Sequence, residues 1–129
     1  MHVPDADGKD GGLIQAGIRT DARKLYGPIA HESTAQTGLH NLAGTISMAR
    51  LEPGSAKADF FILVSDMPGF DAGGPGGDPD GFAAFGQVVE GMSVVKAILA
   101  GRTDGKAIVP AMKGQMLNPP VPIVSAKRL

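Results

Sequence analysis

No cysteine occurs anywhere in the chain. That excludes a disulfide framework and any thiolate-ligated zinc or iron–sulfur site. Tryptophan is absent too, and aromatics are only 5% of the residues, five phenylalanines and one tyrosine. With so few large flat side chains, each phenylalanine is expected where a ring is needed. Neither sign of charge is in excess: 12 basic residues face 13 acidic ones, a net charge of −1. Without a basic field to hold phosphate, no nucleic-acid partner is expected. No apolar run approaches the ~18 residues of a membrane span, so no membrane partner is expected either. The opening Met1-His2-Val3-Pro4-Asp5 lacks the basic and apolar regions of a signal peptide. The default compartment is therefore the cytoplasm, or the periplasm if a leader was lost upstream.

Glycine and proline are what the chain has in plenty. The 19 glycines and 10 prolines exceed a fifth of the 129 residues, yet 43% of the chain is hydrophobic. A chain of this length can bury roughly two-thirds of its unfolded surface. A single loop-rich domain over 1–129 is expected.

Residues 1–11 are polar and glycine-rich and read as a loop. Short apolar or alternating runs at 13–18, 44–49, 59–64 and 84–89 read as strands. Residues 19–43 read mostly as loop. Six glycines and three prolines within 68–81 mark a surface loop. Met92, Val95 and Leu99 recur at helical spacing, which predicts a helix over 92–100, stopped at Gly101. Three prolines between 119 and 122 precede a last expected strand over 123–126. Short strands, turn signals and one helix predict a mainly β domain, an antiparallel barrel.

Several motifs fail on spacing. A calcium loop counted from Asp5 has Lys9 at position five and Ala16 at position twelve, where oxygen ligands belong. The same count from Asp78 ends on Val89. A zinc helix opening at His31-Glu32 would need its second histidine where Ala35 stands. The run Gly73-Gly74-Pro75-Gly76-Gly77 is not followed by the Lys-Ser or Lys-Thr of a phosphate loop. No Gly-x-Ser-x-Gly elbow is present. No metal or cofactor is expected.

Four blocks in order resemble the cyclophilin family of peptidyl-prolyl isomerases, covering residues 12–100. They are Leu13-Ile14-Gln15-Ala16-Gly17, Gly44-Thr45-Ile46-Ser47-Met48-Ala49-Arg50, Ser55-Ala56-Lys57-Ala58-Asp59-Phe60-Phe61-Ile62, and the stretch from Ala84-Phe85-Gly86-Gln87 to Val95. The resemblance implies an antiparallel β-barrel and an isomerase of Xaa-Pro bonds that assists folding. Its partners would be proline-containing peptides or unfolded clients. Phe61 resembles the aromatic floor beneath the proline ring and Leu13 an apolar wall. Phe70 is similar to a further apolar pocket residue, and Phe82 falls where many members have histidine. Gln15 matches the glutamine that bonds near the substrate carbonyl. Ala49 and Arg50 match the backbone along which the peptide lies, and Asp59 stands where glutamine is usual. The residues by themselves leave ordinary core packing open for Phe61, Leu13 and Phe70.

The resemblance also implies further strands, a helix and an aromatic-x-Arg block ahead of the first matched segment. Without them the barrel is incomplete at its N-terminus, and its open edges would favour pairing with a second copy. Without the arginine that the resemblance makes catalytic, and with Asp59 in place of glutamine, the alternative is a proline-peptide binding module or an inactive truncated fragment. In-frame DNA upstream of Met1 is expected to encode such a block within a few codons. Sequencing that region checks it, and an immediate stop codon would refute it.

Overall fold

The structure is a computed structural model that describes residues 2–4, 10–18, 25–107 and 110–129. Residues 5–9, which hold most of the first acidic run, and residues 19–24 of the expected long loop lie outside the described residues. Five strands form one antiparallel sheet: β1 (His2–Pro4), β2 (Asp10–Ala16), β3 (Thr45–Met48), β4 (Phe60–Leu63) and β5 (Ala84–Gln87). Their spatial order is β1-β2-β4-β3-β5, and the sheet is open. β4 is central. Its four residues are β-branched or large and apolar, the composition that suits a strand covered on both sides.

Register decides which residues share a face. Gln15 stands opposite Phe61, and Phe61 opposite Ser47. Leu13 stands opposite Leu63. Directly opposed side chains point the same way, as do residues two apart along a strand. Leu13, Gln15, Ser47, Phe61 and Leu63 therefore share one face, and Ile14, Ile46, Met48, Phe60 and Ile62 share the other. The first face is the buried one. Leu13, Phe61 and Leu63 form the core, with Ala49, Met67, Phe70 and Phe82 packed against it.

A bulge between Ile46 and Ser47 shifts the β3–β5 register, so that Ser47 faces Ala84 and Phe85 is left unpaired. Ala84 is consequently buried and Phe85 is 56% exposed.

Two helices accompany the sheet. α1 (Thr34–Thr37) is one turn closed by a capping box between Ser33 and Gln36. α2 (Met92–Leu99) lies against β2 and buries Val95. It occupies the helix predicted over 92–100, although Ala100 rather than Gly101 caps it.

Two expectations change, and the glycine-rich loop over 68–81 is found as expected. Residues 2–4 and 10–11, read as loop, pair as the hairpin β1–β2. Pairing with a neighbouring strand outweighs their polar, glycine-rich composition. No strand forms over 123–126: that segment has no regular structure and is exposed, Val124 at 92%. Its β-forming residues meet no neighbouring strand, and strand propensity without a partner is not enough. The glycine-rich loop over 68–81 is folded back on itself. It opens with a 3-10 turn, Pro68–Phe70, and Gly81 has φ +62°, with Phe70 O only 2.6 Å from where a side chain would begin. Glycine is needed there for both reasons.

Candidate functional site

Three of the five phenylalanines meet over the buried face. Phe61 comes from β4, Phe70 from the 3-10 turn and Phe82 from the lead into β5. Phe61 meets Phe70 edge-on at 5.6 Å between ring centroids and Phe82 edge-on at 5.4 Å. Phe70 and Phe82 tilt against each other at 4.9 Å. Edge-to-face pairs set the positive ring edge against the negative ring face, worth about 0.5–1.5 kcal/mol each beyond burial. The result is a buried ring, Phe61, with the partly buried Phe70 and Phe82 packed against it. Phe61 is only 3% exposed and belongs to the core.

The other sequence-predicted residues border this cluster. Leu13 is in the core beside Phe61. Gln15 occupies the same row as Phe61 but is exposed, not buried as an amide in an apolar strand would suggest. It lies at the open end of the row, beside the edge of the cluster. Ala49 packs against the core, and its N–H donates to Asp59 O at 2.9 Å. The Asp59 side chain lies against the backbone of Gly17.

Arg50 is turned inward, with its side chain 3% exposed. Its guanidinium stacks on the Phe82 ring, 4.9 Å from the centroid. It donates to the carbonyls of Gly81 and, at 3.1 Å, Leu51, and pairs with Asp78 at 3.4 Å. A cleft of about 460 Å³, lined in part by Arg50, opens between Ile29, Glu32, Lys57, Phe60 and Phe85. None of the three clustered rings lines that cleft.

A polar network holds the Phe70 and Phe82 segments, and none of it was singled out from sequence. Asn41 is fully buried. Its Nδ2 donates to the carbonyls of Phe70 at 3.0 Å and Phe82 at 3.2 Å, and to Asp71 Oδ1 at 3.0 Å. Its Oδ1 accepts from Ser47 Oγ, itself fully buried. Asp71 also accepts the Asn41 N–H at 2.8 Å and lies 2.9 Å from His40 Nδ1. Thr34 Oγ1, on α1, accepts from Ala72 N at 2.8 Å. Polar residues ahead of a strand were the available signal, since buried polar groups require partners.

Burial pushes the Asp71 carboxyl up, but the Asn41 N–H, His40 and the Asn41 amide outweigh it and hold the pKa below the usual 3.8. A carboxylate whose pKa is lowered by folding contributes stability above its unfolded value, and that stability is lost as pH falls through the folded value. The wild-type urea midpoint is therefore expected to drop below about pH 4. In Asp71→Asn that portion of the drop should vanish. Urea titrations of both proteins across pH 2–6 check this, and parallel curves would refute it.

The cluster is apolar, and its members Leu13, Phe61, Phe70 and Phe82 carry no nucleophile. Sequence comparison places that geometry in context. A model of the family described as cyclophilin type peptidyl-prolyl cis-trans isomerase/CLD matches residues 5–128. The chain is 38% identical over 104 residues to peptidyl-prolyl cis-trans isomerase B of Escherichia coli, covering 78% of this chain and 61% of that protein. It is 39% identical over 124 residues to a peptidyl-prolyl cis-trans isomerase of Streptomyces antibioticus, covering 91% and 69%. With isomerase A of Dickeya dadantii it shares 46% over 79 residues, 60% of this chain and 38% of that protein. The chain thus spans less than two-thirds of the length of the Escherichia coli and Dickeya relatives.

Proposed function

Because this chain belongs to the cyclophilin-type peptidyl-prolyl cis-trans isomerase family, we propose that its aromatic groove seats the proline of an Xaa-Pro segment and speeds rotation about the preceding peptide bond. Partial double-bond character gives that rotation a barrier of ~18–20 kcal/mol. No covalent bond is made or broken, so an apolar grip and well-placed hydrogen bonds suffice. Phe61 is the floor of the seat, and Leu13, Phe70 and Phe82 are its sides. Gln15 offers its amide to the substrate carbonyl, and the Ala49–Arg50 backbone runs beside the peptide. Asp59 accepts from the substrate backbone, since an ionised carboxylate has no hydrogen to donate. The substrates are proline-containing peptides and unfolded chains. Pairing of a second copy along β1 or β5, the outermost strands, belongs to the same proposal.

The observation that carries this reading is the convergence of Phe61, Phe70 and Phe82, with Gln15 in the floor's own row. A second reading, a module that binds Xaa-Pro without turning it, is favoured by Arg50. Its guanidinium is committed to the Gly81 and Leu51 carbonyls rather than to the groove. NMR exchange spectroscopy on a short Ala-Pro peptide with catalytic amounts of the chain separates the two. Cis–trans cross-peaks at sub-second mixing times are expected. A folded chain that shifts its own amides with peptide but yields no cross-peaks would leave the binding module.

A further inference from the structure

The two walls of the groove come from segments that a Phe82 N–H to Phe70 O bond of 2.8 Å already ties together. That bond fixes the walls to each other. It does not fix them to the floor. Near Phe82 the backbone also meets β3, where Met48 N–H donates to Ala83 O at 3.0 Å, but the side-chain link that reaches both walls at once runs through Asn41. Ser47 stands directly opposite Phe61 in the sheet and donates to Asn41 Oδ1. From the other end of the same side chain, Nδ2 reaches both wall carbonyls and Asp71. An amide offers two hydrogens to these three acceptors, so one hydrogen is shared. The two linking side chains are out of contact with water, since Asn41 and Ser47 are both 0% exposed.

We propose that Asn41 is the positioning residue of the groove: it sets the height of the Phe70 and Phe82 rings above Phe61, and so the size of ring the seat admits. This rests on the reading of the groove as a proline seat. Asn41 touches no substrate in this role. It acts through the two backbones it holds, and the 5.6 and 5.4 Å ring separations are the quantities it controls.

The test uses the full chain carrying Asn41→Asp, which keeps the shape and removes both amide hydrogens. Val95→Ala is the comparison, a buried truncation on α2 outside the groove. Two readouts are taken. One is the methyl carbon and proton shifts of Leu13 and Leu63, which lie in the field of the rings. The other is the dissociation constant for an Ala-Pro peptide, from amide shift titration. In Asn41→Asp the methyl shifts are expected to move toward those of unstructured leucine. Peptide affinity is expected to fall by ~10-fold or more, the equivalent of 1.4 kcal/mol. Val95→Ala should lower the urea midpoint while leaving both readouts in place.

A folded Asn41→Asp with unchanged shifts and affinity would overturn the proposal, as would equal changes in Val95→Ala. If Asn41→Asp does not fold, Ser47→Ala decides, because it cuts only the link to the floor. A smaller change in the same two readouts supports the proposal, and no change refutes it. If the wild-type chain binds no peptide, the proline-seat reading fails, and the methyl shifts alone decide the role of Asn41.

Discussion

Phe61→Ala is expected to abolish any acceleration of Xaa-Pro exchange and to cost ~3–5 kcal/mol of stability, the range for emptying a buried aromatic site. Both effects have one origin. Phe61 is 3% exposed and carries edge contacts to Phe70 and Phe82, so its removal opens a cavity and takes away the seat's floor. A loss of activity could then reflect unfolding alone. Phe61→Leu separates the two. It fills most of the volume and forfeits two edge-on contacts, an expected loss of about 1–3 kcal/mol. The chain should stay folded, with a lower urea midpoint at unchanged slope, and still fail to produce exchange cross-peaks. A folded Phe61→Leu as active as wild type would remove Phe61 from the site.

Arg50→Ala is expected to be the next most damaging change, at about 2–4 kcal/mol. The truncation leaves the Gly81 and Leu51 carbonyls short of a donor and takes a cation from the face of Phe82. Part of the loss is offset, because Arg50 Nε is buried with no partner among the described residues. Arg50→Lys should rescue little. An ammonium is a point donor and does not reproduce a planar group that stacks on a ring while forking to two carbonyls. Chemical denaturation of the three proteins measures this. Lysine restoring most of the stability would mean that charge, not geometry, is what Arg50 supplies.

The strands and the longer helix were legible because their signals are local. Apolar residues at 60–63 and 45–48 alternate faces within a few positions, and Met92, Val95 and Leu99 repeat at helical spacing. α1 falls inside the span read mostly as loop and was missed: one turn is too short for periodicity to mark, and its signal was only Ser33 and Gln36, three apart. The hairpin partner of β2 and the absent strand at 123–126 were not readable, because strand formation is settled by a neighbour far away in sequence. Convergence of Phe61, Phe70 and Phe82 was implied by the family resemblance, not by spacing. Asn41 and Asp71 escaped both, and Ser47 lay inside a matched block without a role. A buried polar network obeys no period, and each member looks like an ordinary turn or strand residue until its partners are in place. Glycine content correctly marked a turn-rich surface loop but not its close packing. The loop over 68–81 owes its composition to close backbone approach rather than to freedom of motion.

The bulge beside Ser47 has a consequence for how this edge tolerates lost codons. In a regular strand, losing one residue turns every later side chain to the opposite face. Here one residue is already surplus. Deleting Phe85 would convert the bulge into an unbroken ladder, with Ala84 still opposite Ser47 and Gly86 still opposite Ile46. The inward and outward parity of β5 would survive, and only a ring that already faces solvent would be gone. The strand that borders the aromatic cluster thus carries slack of one residue, in a sheet where the neighbouring β3 and β4 have none.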